Sequence, residues 1–247
     1  MNGFTGGEHT AAAGTRVYAG VAGPRGAAPV VCVHGLGCSH RYFAPLADAL
    51  ADVARVAAPD LPGFGRTRGP HRTLDVRGLS FALADWLEAT DRRECVLVGN
   101  SNGCQIIVDL ALHSPELLGP VVLQGPTCDR RARSARQQGA RLFADQPWER
   151  PSLGPVVLRD WAACGPRRYA ETFAYMLGDP IERKLRYVHT PAVVVRGERD
   201  PVVPRAWAEE VAAGLPHGRL EEVPRRGHTL NWSAPRQLAS IVRPLLA

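Results

Sequence analysis

Short apolar runs alternate along the chain with longer stretches whose apolar positions recur at helical spacing. The runs at 30–33, 53–57, 95–98, 121–123, 192–195 and 220–223 are short and rich in valine, which predicts strands, and 15–19 adds an expected edge strand. Between them, 42–50, 74–87, 105–113, 206–215 and 235–246 read as amphipathic helices. Strand and helix in alternation predict an α/β protein with a mainly parallel central sheet flanked by helices. Nearly every strand ends in Gly, Pro, Asp or His, and in open α/β sheets ligands bind at those carboxyl ends. The residues before 15 show no strand signal, so the sheet is expected to lack its first strand or strands.

One stretch breaks the alternation. From 126 to 188 there is no strand pattern, only helix-period pieces interrupted by Pro147, Pro151, Pro155, Pro166 and Pro180. An insertion of this kind predicts a helical cap (126–188) over a core formed by 1–125 and 189–247. Its aromatics Phe143, Trp148, Trp161, Tyr169, Phe173 and Tyr175 are expected to pack within the cap, a few of them facing a pocket.

Composition narrows the class. The 247 residues are 45% hydrophobic and 22% charged, enough for a sizeable core and unlike a disordered or collagen-like chain. No apolar run approaches the ~18 residues that span a bilayer. The opening Met1-Asn2-Gly3-Phe4 lacks the features of a secretory signal, and the expectation is a water-soluble cytoplasmic protein. The net charge of +6 comes from 30 basic against 24 acidic residues, and Lys184 is the sole lysine. Arginine preference throughout the coding sequence accounts for that surplus. Only Arg130, Arg131, Arg133, Arg136 and Arg141 cluster, without aromatic interleaving, so no nucleic-acid partner is expected, although the cluster's place in the cap could bias the pocket toward acidic substrates. Six cysteines (Cys32, Cys38, Cys95, Cys104, Cys128, Cys164) form no CxxC pair or zinc spacing and are expected to be free thiols.

The chemistry lies in the turns. Gly99-Asn100-Ser101-Asn102-Gly103 follows an apolar strand and opens a helical stretch, the setting in which a G-x-S-x-G pentapeptide lifts a serine above a sheet on a strained turn. Gly99 and Gly103 fit because side chains there would strike the neighbouring strand and helix. A serine hydroxyl needs a base, and His228, just after the last strand, suits this role best among the eight histidines. His9 falls in an expected unstructured start, and His34 is read as shaping its own loop. The base needs an acid. Asp200 follows the next-to-last strand, with Glu198 its nearest rival and Asp129 a remoter one. The backbone N–H groups of Leu36, after His34-Gly35, and of Asn102 are candidates for an oxyanion hole.

These motifs together resemble the α/β-hydrolase fold superfamily from about residue 15 to the C-terminus. The carriers are His34-Gly35-Leu36-Gly37, the turn beginning Asp60-Leu61-Pro62-Gly63, the Ser101 pentapeptide, Gly197-Glu198-Arg199-Asp200-Pro201 and Gly227-His228. The resemblance implies Ser101 as nucleophile, Asp200 as acid, His228 as base, a structural role for the Asp60 turn, a small-molecule substrate, and no cofactor, nucleic acid or membrane. Serine at the elbow departs from the aspartate of dehalogenases and epoxide hydrolases. The Gly37-Cys38-Ser39 continuation lacks the Gly-Pro-Gly run of carbon–carbon bond hydrolases of meta-cleavage pathways. The expected function is cleavage of a small carboxylic ester through an acyl-enzyme. The alternatives are carbon–carbon bond hydrolysis, a non-hydrolytic receptor or cyclase on the same scaffold, and a cofactor-free haloperoxidase-like activity. Substrate identity and oligomeric state are not written in these motifs.

Overall fold

The computed structural model describes residues 3–246. Its centre is one eight-stranded sheet in the order β1-β2-β4-β3-β5-β6-β7-β8. The strands are β1 (Gly6–Ala12), β2 (Thr15–Ala22), β3 (Ala28–Val33), β4 (Ala54–Pro59), β5 (Val96–Asn100), β6 (Val121–Gln124), β7 (Ala192–Gly197) and β8 (Gly218–Val223). Strands β1 and β2 pair antiparallel, as do β2 and β4, and every later pairing is parallel.

The N-terminus corrects the sequence reading. The sheet has its first strands, His9 lies within β1, and the 15–19 run is the second strand from the edge. Strand β1 is polar and half-exposed along its length, so no apolar alternation marks it. The two-residue turn Ala13-Gly14 closes it onto β2, with φ of 53° and 65°, a geometry that matches the twist of a hairpin.

Both faces of the parallel strands are buried, which explains their continuous apolar runs. Alternate residues of β3 and β5 (Val31, Val33 and Leu97) pack with one core, against α2 (Val76–Ala89), α3 (Asn102–Leu110) and α7 (Arg205–Gly214). Their neighbours Val30, Cys32, Val96 and Val98 join a second core with α1 (Ala44–Leu50), α8 (Leu230–Ser233) and α9 (Pro235–Val242). Helix α2 starts where Asp75 accepts the Gly78 N–H at 2.8 Å. All six cysteines are free and buried.

Between β6 and β7 lie α4 (Ala135–Asp145), α5 (Gly154–Cys164) and α6 (Pro166–Gly178), with 3-10 turns at Gln146–Trp148 and Pro151–Leu153 and no strand among the described residues. Ser134 and Gln137 form a capping box at the start of α4, while α5 and α6 each begin with proline in the first turn, where its missing N–H has no cost. Polar ties dock these helices. Ser39 Oγ donates to Asp160 Oδ2 at 2.6 Å, and Arg41 Nη1 donates to Asp160 Oδ1 at 2.8 Å. Lys184 bridges Asp179 and Asp109, its Nζ 2.6 Å from Asp109 Oδ1. The arginine cluster is largely matched by acids. Arg130 and Arg131 pair with Glu210, Arg133 with Glu182 and Arg141 with Asp129. None of the five clustered arginines lines the main cavity, so they do not set its charge. Of the aromatics, Trp161 and Tyr169 line the main cavity, whereas Phe143 departs from expectation, being 81% exposed and packed into no core. Among the described residues no helix is long and apolar enough to cross a membrane.

Candidate active site

The chain reverses direction across the sheet between β3 and β5, and the loops after these two strands bring Leu36 and Ser101 to one cavity. Ser101 joins β5 to α3 with φ of 56° and ψ of −120°, outside the ordinary range for a side-chain-bearing residue. The turn is close enough that a Cβ on Gly99 would lie 2.9 Å from the Cys104 nitrogen, and one on Gly103 2.2 Å from the Val33 carbonyl oxygen. Serine at a helix N-cap normally accepts a backbone N–H of the first turn. Ser101 makes no such bond, because its turn carries the hydroxyl away from α3 and into the cavity.

His228 follows β8, and its Nδ1 lies 2.8 Å from Asp200 Oδ2. Asp200 is fixed in turn, because its Oδ1 accepts the N–H groups of Val202 at 2.8 Å and Val203 at 3.0 Å. With its proton on Nδ1, neutral His228 presents Nε2 as a bare acceptor. Nε2 is buried and has no hydrogen-bond partner among the described residues, so the Ser101 hydroxyl does not reach it. Burial alone would depress the imidazole pKa. Asp200, together with Asp145 and Glu149, reverses this and raises it to about 9. The rival acids lie elsewhere: Glu198 accepts the Arg225 N–H, and Asp129 pairs with Arg141.

The N–H groups of Leu36 and Asn102 donate to no acceptor among the described residues. Asn102 is the first residue of α3, where the helix dipole and unpaired N–H groups favour negative charge. The cavity has a volume of about 470 Å³. Leu36, Leu142, Val157, Trp161, Tyr169 and Met176 contribute apolar lining, and Ser101 and His228 also line the cavity. His34 is occupied by its own loop, Nδ1 facing Gly35 O at 2.9 Å and Nε2 accepting the Leu61 N–H. Asp60 likewise holds its turn, accepting the N–H groups of His40 at 2.6 Å and Arg66 at 2.8 Å. Among the described residues no group of three or more His, Cys, Asp or Glu side chains is arranged to hold a metal ion.

Several residues around His228 carry no motif, and sequence reasoning does not reach them. Gln124, at the end of β6, donates from Nε2 to the His228 carbonyl at 2.6 Å. Gly125, with φ of 60°, leaves room for the ring: a Cβ there would lie 2.7 Å from His228 Cε1. Asp145 accepts the His228 N–H at 3.0 Å and Glu149 the Thr229 N–H at 2.7 Å. An acidic i, i+4 pair at the end of a helix is the only hint the sequence offers.

Comparison with known proteins fits this geometry. The chain is 27% identical to the biotin biosynthesis bifunctional protein BioHC of Cellvibrio japonicus over 238 residues, covering 87% of this chain but 46% of that longer protein. The crystal structure of a bacterial membrane phospholipase A superposes with a TM-score of 0.82 at 21% identity, covering 98% of this chain and 85% of that one. Est816, described as an N-acyl homoserine lactone degrading enzyme, superposes with a TM-score of 0.80 at 20% identity, covering 96% and 99%. The profile of the alpha/beta hydrolase family matches residues 30–241, and the chain belongs to that family.

Proposed function

We propose that the protein is a serine hydrolase of small carboxylic esters that works through an acyl-enzyme. The observation that supports this best is the presence of Ser101 and His228 in the lining of one largely apolar cavity, with Asp200 on the far ring nitrogen. In this reading Ser101 Oγ attacks the ester carbonyl carbon while His228 Nε2 takes the hydroxyl proton. Rotation of the Ser101 side chain or seating of the substrate brings Oγ to Nε2, as catalytic hydrogen bonds often tighten only in the loaded enzyme. The oxyanion is received by the N–H groups of Leu36 and Asn102, each such donor being worth about 2.7–4 kcal/mol in the transition state. The protonated His228 passes its proton to the departing alcohol. It then takes a proton from water, which attacks the acyl carbon, releases the acid and restores Ser101. The helical segment at 126–188 acts as a cap whose α5 supplies Val157, Leu158 and Trp161 to the cavity lining.

Treatment with a fluorophosphonate probe followed by peptide mass spectrometry tests the assignment. The label is expected on Ser101 and on no other residue. Labelling elsewhere, or a Ser101→Ala variant that cleaves a p-nitrophenyl ester as fast as the parent, overturns it. Comparing an aryl ester with a vinylogous diketone separates ester cleavage from carbon–carbon bond cleavage. Tight ligand binding with no acyl-enzyme burst would instead mark a receptor.

A further inference from the structure

The turn that carries His228 is held from above by the helical segment. Asp145, the last residue of α4 and 3% exposed, accepts the His228 N–H at 3.0 Å. Glu149, one turn further on, accepts the Thr229 N–H at 2.7 Å and also the Thr229 hydroxyl. Gly227 makes the approach possible, since a Cβ there would lie 2.6 Å from Asp145 Oδ1 and 2.8 Å from Glu149 Oε1. Between the two acids, Trp148 lies under the guanidinium of Arg199, the residue that precedes Asp200, 4.3 Å from ring centroid to Cζ. Five residues, 145–149, thus grip the loops of both Asp200 and His228. From below, Gln124 holds the His228 carbonyl, so the two backbone polar groups of this residue are each bound by a side chain.

Resting on the hydrolase reading above, we propose that Asp145 and Glu149 are positioning residues for His228, seating its turn through the backbone and placing two carboxyl groups beside it. The charged and titratable groups around them are few. Asp145 faces Glu149, His228 and Asp200, and the same acids bear on Tyr42 from the opposite wall. Arg199 covers Trp148, and Arg150 lines the cavity mouth. Burial lifts the Asp145 carboxyl well above the usual carboxylate range, while the positive His228 opposes the shift and the contact with Glu149 reinforces it. Every carboxylate charge here favours the protonated imidazole. Removing the Glu149 charge, or the part of the Asp145 carboxyl that is ionised, makes His228 a weaker proton acceptor and keeps it neutral to lower pH.

Substitution separates position from charge. Asp145→Ala removes the seat and is expected to lower kcat by ~10-fold or more, with KM nearly unchanged because the carboxyl acts through His228. Asp145→Asn keeps an acceptor for the His228 N–H and is expected to recover most of kcat. It should also move the acid limb of kcat/KM, and the His228 titration read by NMR of labelled imidazole, downward by a fraction of a pH unit, because burial leaves the Asp145 carboxyl only partly ionised there. Glu149→Gln is expected to act in the same direction, and it serves if the Asp145 variants fold poorly. An unmoved His228 titration in both Asp145→Asn and Glu149→Gln overturns the proposal, as does an Asp145→Ala variant with parental kcat. The titration needs no turnover. A moved titration with no probe on Ser101 would leave the seat standing and remove the hydrolase reading, whereas a labelled Ser101 with an unmoved titration would do the reverse.

Discussion

The loops at the carboxyl ends of the strands and the helices between β6 and β7 face the same cavity, but they are held differently. Helix α3, which follows Ser101, buries all nine of its residues, and α2 buries eight of fourteen. Above the cavity, α4 buries only Gln138 and Asp145, α5 only Asp160 and Cys164, and α6 only Thr172 and Met176. Dense apolar packing fixes the loops, so their backbone geometry cannot drift. The upper helices are docked through a few hydrogen-bonded polar residues and leave Phe143, Leu158 and Trp161 exposed. Tight packing tolerates little change in shape. A segment docked by polar ties can change its apolar lining without unfolding the sheet.

The contrast breaks most visibly at Ser101. Ser101→Ala is expected to lower kcat for a short aryl ester by ~10³-fold or more while thermal unfolding stays at the parental temperature. Next comes the packing that supports it. Gly103→Ala, whose Cβ would meet the Val33 carbonyl, is expected to cost about 3 kcal/mol in urea denaturation. The pH dependence follows. A base must be neutral to act, and the His228 pKa is raised to about 9, so activity is lost as pH falls below that value. The logarithm of kcat/KM should rise with unit slope from pH 7 and bend near 9, a gain of about 50-fold over that span. In the upper helices, Asp160→Ala leaves Ser39 and Arg41 without their partner and is expected to cost about 2 kcal/mol. It should also raise KM, because α5 lines the cavity. The smallest effect is expected from Phe143→Ser, within about 0.5 kcal/mol of the parent. A Phe143→Ser variant as unstable as Gly103→Ala would erase the distinction between the two regions.

The legibility of the sequence follows the same division. The serine turn can be read because its requirements are local: a strand, two glycines, a serine and a helix within a few residues. The turns of Asp200 and His228 can be read because each closes a valine-rich or alternating strand. The β1–β2 hairpin cannot, since its pairing rests on backbone hydrogen bonds and the side chains of β1 are largely polar. Asp145 and Glu149 are also silent. Their role arises only when helix α4 is laid over a loop more than seventy residues away in the chain, and no pattern around residue 145 encodes that meeting. Among the aromatic residues of the upper helices Phe143 misleads, because an apolar ring in a helix-period stretch suggests a core that it does not have, while Trp161 and Tyr169 do line the cavity.

Gly125 carries a consequence beyond this molecule. The absence of one carbon atom at the end of β6 makes the place in which the imidazole of His228 lies. Sequences aligned to this chain can therefore be sorted at a single column. A side chain at that column would bring a Cβ to 2.7 Å from Cε1 of the ring, so a chain that carries one has to shift the ring or the turn to keep the histidine.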